Sequence, residues 1–222
     1  MAYRRTANVL RRLNARHDAI VDAARDAATA GGMAAIQIAP VAERAGVAAG
    51  TVYRYFPGKI ELVGALVESV AEREIEAVRK AADAAPGPLS AVAAAVATFG
   101  ARALRNRKLA WAVIAEPVDT DTDVVRQQYR RDLSAEIETR IRTAIAGGHL
   151  PDQDASLAAS ALVGALLEGL IGPLAPDGME DPARAREAVQ TLTLFALRGL
   201  GVVDARARGL VVQTALPDEG RT

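Results

Sequence analysis

The 222-residue chain has no cysteine, two histidines, eight aromatic residues and no net charge, and each shortage excludes something. Without cysteine there is neither a disulfide framework nor a thiolate-bound metal, which fits a reducing, cytoplasmic setting. The two histidines, His17 and His149, are too few to assemble a ligand triad or a catalytic dyad, so neither an enzyme nor a metal site is expected. No window alternates apolar and polar residues with a β-branched bias, which argues against strands. Long apolar runs are also missing: the most apolar stretch, Ala158 to Ala175, is interrupted by Gly164, Glu168, Gly169, Gly172 and Pro173. The opening Met1-Ala2-Tyr3-Arg4-Arg5 lacks the apolar centre of a signal peptide, and no membrane association is expected.

What the chain does have is a core's worth of apolar residues, 50% of its length, and an uneven distribution of charge. Residues 1 to 60 carry nine basic side chains against four acids, a net +5; in a chain whose 27 basic and 27 acidic residues cancel, the remainder carries −5. A basic module that seeks polyanions is therefore joined to an acidic one. Alanine, leucine, arginine and glutamate dominate between glycine and proline breaks, and an all-α protein is expected.

Helices are predicted at about 11–30, 38–45, 49–56, 59–82, 89–105, 108–115, 124–146, 153–174 and 182–200. The chain divides as 1–58, a basic N-terminal arm and helical unit; 59–201, a larger helical unit; and 202–222, a tail, partly disordered in expectation. The breaker Ala85-Pro86-Gly87-Pro88 marks a junction in the second unit.

The most informative segment is Gly46-Val47-Ala48-Ala49-Gly50-Thr51-Val52-Tyr53-Arg54-Tyr55-Phe56-Pro57-Gly58-Lys59. Gly46 supplies the left-handed residue of a tight turn between two steeply packed helices, and the small Ala42 and Ala45 let them approach. Val52 and Phe56, four residues apart, point together into the core. Gly50 and Arg54 then fall opposite, flanked by Thr51 and Tyr53, where a major groove would meet them. Tyr53 and Tyr55 are expected at phosphates. Lys59 opens a helix, where a cation opposes the macrodipole, so stability explains it poorly and a phosphate lying on that helix end explains it well.

Residues 15 to 66 resemble the DNA-binding domain of the TetR/AcrR family of transcriptional regulators. The resemblance is carried by Gly32, Val41-Ala42, Ala45-Gly46-Val47, Gly50 to Phe56, Lys59 and Leu62. It implies an all-helical homodimer that binds a palindromic operator on double-stranded DNA as a repressor, and is released when a small, largely apolar molecule enters the second domain. Where the family often opens its second and third helices with Ser or Thr, this chain has Gln37 and Ala48. Affinity then leans on an arginine arm, Arg4, Arg5, Arg11 and Arg12, ahead of the first helix. The expected DNA-binding set is Arg4, Arg5, Arg12, Gln37, Ala49, Gly50, Thr51, Tyr53, Arg54, Tyr55 and Lys59.

The second domain is less explicit. Phe99, Trp111 and Tyr129 are core residues or cavity lining, and with Arg102, Glu116 and Glu168 they are the candidate effector contacts. The acidic string Glu116, Asp119, Asp121, Asp123 lacks the glycine and terminal glutamate of a calcium loop, and Asp121 to Asp123 are expected to cap the helix that follows. The helix at 153–174 is apolar nearly all round and must be covered on both sides. With the final helix it offers Leu157, Ala161, Ala165, Leu166, Val189, Leu192 and Phe195 to a twofold partner, the alternative being intramolecular core. A helical small-molecule-binding or enzymatic protein without an operator is the competing function.

Overall fold

The computed structural model describes residues 2–216, with side chains from residue 9 onward. The side chains of Arg4 and Arg5, and residues 217–222, lie outside the described residues. Among the described residues the chain forms ten α-helices and no strand: α1 Ala2–Gly31, α2 Ile38–Arg44, α3 Ala49–Tyr55, α4 Lys59–Asp83, α5 Pro88–Arg105, α6 Arg107–Ile114, α7 Thr120–Ala146, α8 Ala155–Leu166, α9 Pro182–Gly199 and α10 Asp204–Gln213.

Helices α1 to α3 form the small N-terminal unit, in which Ile20, Ala24, Ile36, Val41, Val52 and Phe56 close a common core. Helix α4 leads away from it and packs on α5 and α7. Helix α5 is the buried centre of the larger unit, with α4, α7 and α9 around it and α8 lying on α7. Its Gly100 permits this: a Cβ there would stand 3.0 Å from Leu170 Cδ1 and 3.3 Å from Val189 Cγ2. One apolar core runs through both units from Ile20 to Ala207, and α1 packs on α6 as well as on α4.

Three elements differ from the sequence expectation. The arginines expected in an arm, Arg4, Arg5, Arg11 and Arg12, lie within α1, which begins at Ala2. No glycine or proline precedes Gly31, so nothing stops the helix from extending over them. The long helix expected at 153–174 is α8 up to Leu166 and then a wider π-type turn, Leu167–Ile171. There the Gly172 N–H reaches back to the Leu167 carbonyl at 2.7 Å, while Arg107 donates from Nε to the Leu170 carbonyl (3.1 Å) and from a terminal nitrogen to that of Ile171 (3.4 Å). The arginine gives those carbonyls partners outside the helix ladder. The segment expected as a tail contains α10, anchored by the fully buried Ala207 and by Asp204, which pairs with Arg198 and Arg208.

Candidate nucleic-acid interface and ligand cavity

The turn between α2 and α3 is built as its sequence demands. Gly46 has φ of 66°, its N–H bonds the Glu43 carbonyl at 3.1 Å, and the Val47 N–H bonds that of Ala42 at 2.9 Å, the paired closure of a glycine-terminated helix. Gln37 and Ala48 stand at the N-caps of α2 and α3, and neither side chain makes a capping hydrogen bond. Helix α3 buries Val52 and sets Phe56 into the core just beyond its end. Ala49, Gly50, Tyr53 and Arg54 face outward, Tyr53 being 54% exposed, and Thr51 is half-buried beside them. Lys59 and Gln37 are exposed, and so is Arg12 on α1. Six candidates, Gln37, Ala49, Gly50, Tyr53, Arg54 and Lys59, thus share open surface on one small unit.

Tyr55 is the correction. Its ring leans inward against Phe56 (6.5 Å between centroids) and His17 of α1 (6.4 Å), and its hydroxyl is buried with no hydrogen-bond partner. A phenol so placed does not present its hydroxyl at the open surface. It underlies Arg54 instead: the Arg54 guanidinium lies 6.0 Å from the Tyr55 ring centroid, at the edge of cation–π range. His17 completes the support by packing on Phe56 at 5.1 Å.

In the larger unit a small cavity of about 50 Å³ lies between α4, α5, α6 and α7. Phe99, Arg102 and Tyr129 meet there with Val70, Glu74, Asn106, Val113 and Ile171. Arg102 grips the Glu74 carboxylate with two bonds, Nε to Oε2 at 2.6 Å and a terminal nitrogen to Oε1 at 2.8 Å. That hydrogen bonding raises the arginine's already high pKa, while burial pushes the Tyr129 phenol well above its usual range. Glu74 was missed from the sequence because one glutamate among Glu68, Glu72, Glu74 and Glu76 on the same helix carries no mark of facing inward.

The other three effector candidates are elsewhere. Trp111 lines a separate surface cleft with Arg105, Lys108 and Met179, because it leaves α6 on a different side from Leu109 and Val113. Glu168 is exposed, its carboxylate turned back over Gly172. Glu116 joins the two units: its Oε2 accepts the Met33 N–H at 3.0 Å, across the bend that follows α1. Gly32 makes room for it, with φ of 71° and a position at which a Cβ would stand 2.8 Å from that oxygen. The cap of α7 is Asp119 rather than Asp121 to Asp123, accepting the Thr122 N–H at 2.9 Å, which lowers the carboxyl's pKa. Among the described residues no cluster of three possible metal ligands forms, and no helix is long and apolar enough to cross a membrane.

Of the residues expected to meet a partner, Leu157 and Phe195 are 67% and 58% exposed, Ala161 is exposed, and Ala165 and Leu192 are half-buried. Leu166 and Val189 are buried in the core of this chain, the latter against Gly100.

A glycine-closed bend, a short second helix with a polar outer face and a bundle beneath it define a helix-turn-helix protein with a helical second domain. Residues 20–66, the N-terminal unit, match the model of the tetR family of bacterial regulatory proteins. It is 46% identical over 72 residues to the transcriptional repressor KstR of Rhodococcus jostii, a match covering 32% of each chain. With KstR of Mycobacterium tuberculosis it shares 50% over 48 residues, 22% of each. The chain thus aligns with about a third or less of the length of these relatives. Whole-chain likeness comes from solved structures. RolR in complex with resorcinol (TM-score 0.68, 21% identity) is matched over 96% of this chain and 100% of that one. FadR of Bacillus subtilis in complex with stearoyl-CoA (TM-score 0.63, 17% identity) is matched over 79% and 96%. At such identities these two establish the all-helical, two-unit fold.

Proposed function

We propose that the protein is a homodimeric transcriptional repressor of the cytoplasm that binds a palindromic operator through α3 and leaves it when a small molecule occupies the cavity between α4 and α7. The observation that carries this reading is the outer face of α3, where Tyr53 and Arg54 stand exposed above a fully buried Val52, with Lys59 beside them. In a dimer two such helices would enter successive major grooves about 34 Å apart. The solved relatives described with resorcinol and with stearoyl-CoA support a ligand-taking role for the helical domain, and their different ligands mean that the effector must be read from this chain's own residues.

Coupling between the two functions would run through α6, which forms one wall of the cavity and is tied to the DNA-binding unit at both ends. Asn106, its N-cap, donates from Nδ2 to Thr29 Oγ1 of α1 at 3.2 Å, and Glu116, just past its C-terminus, holds the Met33 N–H. A ligand that displaces α6 would shift both ties, which is the differential interaction that release requires. The test is nuclease footprinting on the DNA flanking the protein's own coding region. Protection of an inverted repeat is expected; a protein that protects no flanking fragment even at low salt is not an operator-binding repressor of its own locus.

A further inference from the structure

We infer that the effector is a small neutral ring carrying a hydroxyl group, a phenol, received by Tyr129 and the Glu74–Arg102 pair; this rests on the reading that the cavity between α4 and α7 is the effector site. Most of the cavity wall is hydrocarbon, from Val70, Phe99, Leu109, Val113 and Ile171, and its polar side chains are Glu74, Arg102, Asn106 and Tyr129. Arg102 and Glu74 are committed to each other by the two bonds described above, so the site presents no unbalanced charge. An anionic ligand would have to compete with Glu74 for the guanidinium, and a cationic one with Arg102 for the carboxylate. A neutral ligand leaves the pair intact.

Tyr129 adds the specific demand. It is 3% exposed and lines the cavity. Burial raises its pKa, so the hydroxyl keeps its proton and can donate to a group that enters the cavity. The Glu74 carboxylate, near enough for its charge to act on that phenol, retains lone pairs after Arg102 has taken one on each oxygen. A group that accepts from Tyr129 while donating to Glu74 satisfies both, and a hydroxyl is the simplest group that does.

Size limits the remainder of the ligand. At about 50 Å³ the cavity is smaller than the roughly 150 Å³ that holds a benzene ring, so even one ring must push the wall back. A single ring asks for a modest displacement of α6; a long acyl chain would ask for several times that volume.

The full-length protein carries its own reporter, because Trp111, the single tryptophan, rides on α6. Phenol, toluene, benzoate and decanoate are titrated while Trp111 emission and heat are followed, alongside displacement from an operator fragment. Phenol is expected to bind at least tenfold more tightly than toluene, and Tyr129→Phe to bring phenol down to the toluene level while toluene is unchanged. Phenol binding no better than toluene, or failing to bind while benzoate or decanoate binds, overturns the inference. The underlying site is tested separately by narrowing the cavity with Ala110→Leu, or Val113→Leu if the first misfolds by circular dichroism. If these abolish the response to an effector of another class, the cavity stands and the phenol falls; if the response survives them, the effector site lies elsewhere.

Discussion

Three side chains within six positions do different work at the proposed operator surface. Arg54 is exposed on α3 beside the Tyr55 ring, so it is suited to fork onto a base edge. Arg54→Ala is expected to weaken operator binding by about 1–3 kcal/mol and to relax preference at one base pair. Lys59→Ala should instead weaken all sequences alike and flatten the log-affinity against log-salt slope by about one unit. A salt titration of both variants on matched and mismatched operators separates the roles. Tyr55 makes a contrasting case, since its hydroxyl is buried and unbonded. Removing a buried polar group that has no partner relieves a desolvation cost of about 1–3 kcal/mol, so Tyr55→Phe is expected to leave operator affinity unchanged and to raise thermal stability. Loss of affinity in Tyr55→Phe would return that hydroxyl to the DNA.

At the scale of elements, α6 is the short helix on which the larger unit and the DNA-binding unit both depend. Its C-terminal carbonyls would be orphans but for α7: Arg126 donates to those of Ala112 and Glu116, and Arg130 to that of Ile114. Cations at a helix C-terminus also suit its dipole. Arg126 is among the largest fully buried side chains, and burial lowers its pKa while Glu116 and Asp123 oppose that shift. Arg126→Ala, by stripping charged donors from buried carbonyls, is expected to cost about 3 kcal/mol. In a chain of this length that is a fall of about 6–12 °C in Tm by calorimetry, at about 2–4 °C per kcal/mol. Gly32→Ala makes a local test of the tie between units. It strains a left-handed residue and crowds the Glu116 carboxylate, so faster amide exchange is expected at Met33, with the α5 core unaffected.

For the whole molecule, the open question on the surface is what covers Leu157 and Phe195, two large apolar side chains more than half exposed on α8 and α9. A twofold partner presenting the same face would cover them and complete a four-helix bundle. The double variant Leu157→Arg with Phe195→Asp is expected to be monomeric in sedimentation. Because an operator of two half-sites needs both protomers, it should also lose operator binding by tenfold or more while each N-terminal unit stays folded. A dimer that survives both changes uses another face.

Short-range rules were enough for much of this. Glycine-closed turns, the i, i+4 pairing of Val52 with Phe56 and the charge asymmetry are local facts, so the helix-turn-helix, its outward residues and the all-α class were legible in the amino-acid order alone. The start of α1 was misread because a run of arginines before an apolar stripe looks like an arm unless the absence of a breaker is given its weight. The cavity proposed for the effector was beyond sequence reasoning for a different reason: it is made by four helices, and which glutamate turns inward depends on how α4 is rotated against α5. Only tertiary packing set Glu74 against Arg102 and Tyr129, sent Trp111 to another cleft, and turned Glu116 from a candidate ligand contact into the tie that joins α6 to the bend after α1.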